Sequence, residues 1–267
     1  MDVIGIAILI LMLLGSVIVW VQWIRICRRR SIAQVIADCR QHRRQVVTMP
    51  LSAAATIWLL WILIPPATAE FMMVPPIPSL RTVQAGCTAH GLLLLCATLV
   101  MISTMGHRQA WQHAPREWRG DLYHGLRGFL ASCLPVFLTL WATHALRSEE
   151  SQHSYLKLIA ASSDASVLAW IVLAAVLLAP LVEELVFRVV LQPVLVEWCG
   201  EVWGVCGVAV LFAGIHGWPD ALPLIPLALV LGVYYRLRGS YLTVVVIHML
   251  FNAGNLLLAL SSTTTTP

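Results

Sequence analysis

Eight stretches of this chain are almost uncharged and about as long as a membrane-crossing helix. They cover approximately residues 3–24, 46–64, 83–105, 128–146, 165–182, 202–218, 221–235 and 241–260. A span needs about 20 residues, so the pattern reads as an all-α, polytopic integral membrane bundle of about eight transmembrane helices. Composition agrees. Hydrophobic residues make up 59% and charged residues only 11%, against about 25% charged in an ordinary soluble domain. That excludes a disordered chain and argues against a soluble globule. Segment 221–235 is short and carries Pro223 and Pro226. It is expected to be broken or deeply buried, because proline-freed backbone groups persist in a membrane only where protein or water satisfies them.

The formal charge of +4 hides an asymmetry, for all the cations but Lys157 are arginines and several crowd the residues before 45. They follow the first apolar stretch, which has no cation ahead of it and exceeds a signal-peptide core. The positive-inside rule places the N-terminus outside and loop 25–45 in the cytoplasm. Arginines at 108, 116, 119 and 127 mark a second inside loop, 106–127. Arg236 and Arg238 mark a third, and the proline-rich loop 65–82 fits the opposite face. The cations flank spans, so they read as a topology signal and not as a nucleic-acid patch.

The seven cysteines show no C-x-x-C and read as small buried hydrophobes. Trp20, Trp23, Trp58, Trp61, Trp203 and Trp218 sit at segment ends and read as an interfacial belt. Residues 1–160 form an accessory half, 161–260 hold nearly all the polar groups of the apolar core, and 261–267 are a polar tail expected to fray.

Three clusters carry the chemistry. In Pro180-Leu-Val-Glu183-Glu184-Leu-Val-Phe-Arg188, Glu184 and Arg188 are four apart and share a helix face. Glu183 is turned about 100° away. The spacing predicts that Arg188 neutralises Glu184 and leaves Glu183 available for proton transfer. The same residues also fit a solvated helix start beyond the interface. The second cluster is Phe212-Ala-Gly-Ile-His216, and a lone histidine in an apolar helix is commonly a packing group. The third is His248-Met-Leu-Phe-Asn252, which sets an imidazole and an amide on one face. The other histidines, His90 and His144 included, receive no role.

Taken together and in this order, E-E-x-x-x-R, F-x-x-x-H and H-x-x-x-N resemble the CPBP family, the intramembrane endopeptidases of CAAX-protease and bacteriocin-processing type. The lead-in Gly232-Val-Tyr-Tyr-Arg-Leu-Arg-Gly239-Ser240 extends the resemblance, which covers about 175–257. It implies that Glu183 is a general base on water, that His216 helps hold that water, and that His248 and Asn252 face the oxyanion. Glu184 and Arg188 would support the site. Desolvation brings a carboxylate toward the pKa a base needs, and each oxyanion donor is worth about 10²–10³ in rate.

There is no H-E-x-x-H, G-x-S-G or G-x-G-D motif. Glu183, His216 and His248 would suit Zn²⁺ with an open position. The asparagine is a poor zinc ligand, so a cofactor-free mechanism is the expectation. The expected partners are a membrane-associated polypeptide substrate and the lipid bilayer, with no nucleic acid. The expected location is a bacterial cytoplasmic (inner) membrane. Rival readings are a silent scaffold or immunity protein and a proton-coupled transporter, the latter favouring an inverted repeat that the sequence lacks. One tension stands. Counting 1.5 Å per residue, a simple antiparallel bundle would place His216 on the far side from His248.

Overall fold

A computed structural model describes residues 1–31, 34, 48–67, 78–105, 118–146, 154–162 and 164–263. Cys39, most of loop 25–45, residues 68–77 of loop 65–82, residues 106–117 of loop 106–127 and tail residues 264–267 lie outside the described residues. Among the described residues the structure is helical, with no strand. The helices are α1 (Val3–Arg29), α2 (Leu51–Ala67), α3 (Leu80–Met105), α4 (Trp118–Ala142) and α5 (Ser154–Ala161). The run Ala165–Cys199 is α6. Then come α7 (Glu201–Gly214), α8 (Ala221–Arg238) and α9 (Tyr241–Thr263).

Six of these helices, α1, α3, α4, α6, α8 and α9, are long and apolar enough to cross a membrane. The expectation of eight spans is therefore approximate. The apolar part of α2, Leu51–Ile64, and all of α7 are shorter apolar helices. At 14 residues, α7 is about 21 Å long, against about 30 Å of hydrocarbon. The expected break in 221–235 does not occur. α8 runs unbroken for 18 residues. Pro223 falls in its first turn, where an N–H has no intrahelical acceptor, and Pro226 lies one turn further in. The expected burial does occur, because Pro223, Leu227, Ala228, Leu231 and Gly232 are all buried.

The chain forms two compact units. One comprises Met1–Val47, His113–Arg147 and Gln192–Pro267, and the other Thr48–Gln112 and Ser148–Leu191. In the first, α1 lies against α4. Its buried residues are Gly5, Ser16 and Val19, while Ile4, Leu11, Leu14 and Ile18 are exposed. Small and polar groups turned inward with large apolar groups outward is the packing expected against lipid.

The α1–α4 contact has a specific cause. Pro135 stands inside α4, so it cannot donate to the carbonyl of Ala131 four residues back. The Trp20 indole N–H donates to that carbonyl at 3.1 Å. One turn away on α1, Ser16 Oγ accepts from the Leu134 N–H at 3.1 Å. Trp20 is thus more than a belt residue, since it replaces a bond that proline removes.

In the second unit, Val83 and Cys87 of α3, Leu158 of α5 and Val167, Ile171 and Ala174 of α6 make a buried apolar cluster. Trp58 and Trp61 of α2 also have a packing role. Both stand edge-on to Phe187, at 5.6 and 5.5 Å, a geometry that favours aromatic pairs. Cys87 and Cys133 are buried as expected, whereas Cys199 is exposed.

Trp20→Phe should destabilise the protein by about 1–3 kcal/mol, because it strands a buried carbonyl. Pro135→Ala restores the N–H that the carbonyl lacks. In that background Trp20→Phe should cost much less. Thermal unfolding of the four variants in one detergent checks this, and equal penalties in both backgrounds would contradict it.

Candidate active site

α6 carries the first motif. It opens on Asp164, whose carboxylate accepts from the Ser166 N–H and from the Ser166 hydroxyl, both at 2.8 Å. Those bonds, the backbone one first, hold the Asp164 carboxyl below its usual value. Within α6 two stretches widen to π-helix, Val172–Leu178 and Leu185–Leu191. Each ends two residues before a proline, Pro180 and Pro193. A proline ring crowds the carbonyl four residues back. An i→i+5 turn relieves that crowding, and the Ala179 N–H does reach back to the Ala174 carbonyl. The six α-helical residues between the π stretches, Ala179–Glu184, hold both glutamates. π-Bulges inside α-helices are frequent at functional sites.

Glu184 and Arg188 pair as the spacing predicts, with Arg188 Nε 3.2 Å from Glu184 Oε2 and both side chains 0% exposed. The alternative of a solvated helix start is thereby excluded for this pair. Glu183, one residue earlier, is half-buried. It lies within electrostatic reach of Tyr155 on α5. Burial, then Cys87 and the Glu183 carboxylate, push that phenol above its usual value. The adjacent carboxylates therefore have different surroundings, one locked in a buried ion pair and one less enclosed.

The other motifs lie in the first unit. His216 follows the end of α7 and is exposed. Its Nδ1 lies 2.8 Å from the Phe212 carbonyl. A carbonyl only accepts, so Nδ1 carries the proton and Nε2 of the neutral ring is an acceptor. On α9, His248 is 3% exposed, and Asn252 is half-buried one turn further on. Phe212 joins the two histidines, its ring centroid 4.9 Å from that of His216 and 5.6 Å from that of His248. The expected separation of His216 from His248 is thus not observed. α7 is short, and side chains lean back toward the start of their helix, so the His216 ring folds one turn back over Phe212. Among the described residues, no three His, Cys, Asp or Glu side chains gather as a metal site.

The lead-in to the third motif is structural. Gly232 is buried, and a Cβ there would lie 2.9 Å from Val205 Cγ1 and 3.1 Å from Gln192 Oε1. The wholly buried Gln192 donates from Nε2 to the Gly232 carbonyl at 2.9 Å. Arg236 pairs with Glu201 at the start of α7. Gly239 ends α8 in the left-handed region at φ 62°, where glycine carries no Cβ penalty. Ser240 Oγ then accepts from the Thr243 N–H at 3.2 Å and caps α9. Sequence reasoning missed Gln192, although a signal existed, because it repeats the four-residue spacing of Glu184 and Arg188. It also missed the buried Asp121 of α4, whose Oδ1 accepts from Thr243 Oγ1 at 3.2 Å.

Residues 165–254 match the family model described as type II CAAX prenyl endopeptidase Rce1-like. The match shows this segment to be CAAX-protease-like. It spans about a third of the chain and contains Glu183, Glu184, Arg188, His216, His248 and Asn252. It bears out the family resemblance carried by the three motifs, and it indicates a protease. With six candidate spans, it points to a multi-pass membrane protein. No curated protein and no solved structure matches.

Arg188→Ala should act on folding, since removing one partner of a buried ion pair costs about 3–5 kcal/mol. The expected result is a large drop in unfolding temperature with loss of membrane-extracted protein. A variant as stable as wild type would contradict the pairing role.

Proposed function

We propose that this protein is an intramembrane endopeptidase that hydrolyses a peptide bond of a membrane-associated or lipid-modified polypeptide, with Glu183 as general base. The observation that carries the reading is the unequal environment of the two glutamates within a segment that matches the CAAX endopeptidase model. Arg188 pairs with Glu184, so that carboxylate is committed to a buried ion pair. Glu183, the less enclosed of the two, is the carboxylate assigned to the chemistry. It takes a proton from water as the water oxygen attacks the scissile carbonyl carbon, and it returns that proton to the departing amine. His216 presents Nε2 to the attacking water. His248 and Asn252 donate to the oxygen that becomes negative. No cofactor is invoked. The setting is the lipid bilayer, with a bacterial cytoplasmic membrane as the proposed location.

Glu183→Gln is nearly isosteric and removes only the base. Cleavage should fall about 10²–10⁴-fold at unchanged membrane insertion. The check is cleavage of a lipid-modified C-terminal peptide and of an unmodified membrane-anchored one at matched expression. Turnover near the wild-type rate would refute the assignment.

His248 and Asn252 should behave as one unit. Asn252→Ala should lower turnover about 10²–10³-fold, and the double change with His248→Ala should be scarcely worse than the poorer single change. Strict additivity in the mutant cycle would break the shared-oxyanion role. A tight chelator should leave the wild type active. Loss of activity restored by zinc would instead make His216 and His248 ligands, with Glu183 as third ligand or base.

A further inference from the structure

A second polar centre lies in the first unit, where the start of α4, the end of α8 and the start of α9 meet. The bond between Asp121 and Thr243 fixes that meeting, because these residues stand in the first turns of α4 and α9. Arg238 closes α8. His124 has Arg238, Arg127 and Asp121 as its charged neighbours. Arg119 stands at the start of α4 and stacks on Trp118 at 5.2 Å. Arg127 reaches back one turn, donates to Tyr123 Oη at 3.1 Å and lies over that ring at 5.7 Å.

Among the described residues cations outnumber anions at this centre, with Arg119, Arg127 and Arg238 against Asp121. Arg236 is paired with Glu201, and Asp121 is fully buried and already accepts from Thr243. Among the described residues neither Arg119, Arg127 nor Arg238 makes an ion pair. Two guanidiniums, those of Arg127 and Arg238, therefore stand near His124, with Arg119 at the start of α4, and none of the three is fully buried. An excess of cations at one helix end favours a further anion there. Trp118 and Tyr123 are 52% and 55% exposed. Large aromatic rings with a polar tip at a helix end mark the headgroup level of a bilayer. The arginines curl back onto these rings toward the same level, as snorkelling cations do.

We propose that Arg127 and Arg238, with Arg119 at the rim, form a binding site for the phosphate of an anionic phospholipid, held between α4 and α8. None of these arginines belongs to the three motifs that hold Glu183, His216, His248 and Asn252. Its charge sign suits the leaflet on the basic-loop side of the membrane. A guanidinium matches phosphate bidentately, and each cation near an anionic surface is worth about fivefold in affinity. Loss of both Arg127 and Arg238 should then weaken binding about 25-fold.

The test uses the full chain in nanodiscs of phosphatidylcholine alone and of phosphatidylcholine with phosphatidylglycerol. Unfolding temperature and the number of retained lipids, by native mass spectrometry, are the readouts. Phosphatidylglycerol should raise the unfolding temperature, with one phosphatidylglycerol retained per chain. Arg127→Gln with Arg238→Gln should abolish both effects. Arg127→Lys with Arg238→Lys should keep part of them. If the double glutamine variant does not fold, Arg238→Gln alone should lose the retained lipid in the mass spectrum. An equal response of wild type and variants would overturn the proposal. So would a shift reproduced by inorganic phosphate in phosphatidylcholine, or one given by an acidic peptide and not by the lipid.

Discussion

A polar group that enters hydrocarbon must carry its partner with it, because no water is there to supply one. In this chain that requirement decides which helices touch. Pro135 frees the Ala131 carbonyl inside α4, and Trp20 of α1 comes in to meet it. Gln192 is wholly buried, and its amide holds the backbone of Gly232. Glu184 enters with Arg188 one turn away on the same helix. Apolar side chains do little to specify these contacts, since they are as comfortable against lipid as against one another. The exposed face of α1 illustrates this, being rich in Ile and Leu that the protein interior does not use.

The same requirement divides the two glutamates. Neighbouring residues on a helix point about 100° apart, so Arg188 contacts Glu184 directly and feels Glu183 only electrostatically. Arg188 lies four residues after Glu184 and therefore serves it. Proline on either side of this stretch widens the helix into π turns, so the backbone around the pair departs from a regular α-helix at that point. The two carboxylates thereby have different surroundings on one helix. The buried pair holds the helix, and its neighbour is the less enclosed of the two.

Legibility in the sequence followed interaction range. The helices, their order and the Glu184–Arg188 pair depend on residues within one turn of each other, and the four-residue spacing shows them directly. The family resemblance was legible for the same reason, since each motif is a single helical turn. What could not be read depends on length thresholds or on partners distant in sequence. α7 looked like a span because residues 215–218 continue its apolar character, but the helix ends at Gly214. Trp20 looked like a belt residue because its acceptor lies more than a hundred positions away. Asp121 drew no reading, because its partner Thr243 is also more than a hundred positions away. The π stretches had a local cause in Pro180 and Pro193, yet proline at those positions also reads as a kink or a break.

Phe212 shows how a residue without chemistry of its own can organise residues that have it. Its ring is fully buried and touches both His216 and His248, while its carbonyl fixes the Nδ1 proton of His216. An aromatic ring presents a positive edge and a negative face, so it orients an imidazole without competing for its hydrogen bonds. A leucine would fill much of the volume but would leave both rings free to turn. In the F-x-x-x-H motif the phenylalanine thus does two things at once. The backbone sets the tautomer of one histidine, and the side chain sets the spacing between two. That double role explains why an apolar residue stands at a fixed four-residue distance from a polar one in a helix whose other apolar residues only face lipid or pack.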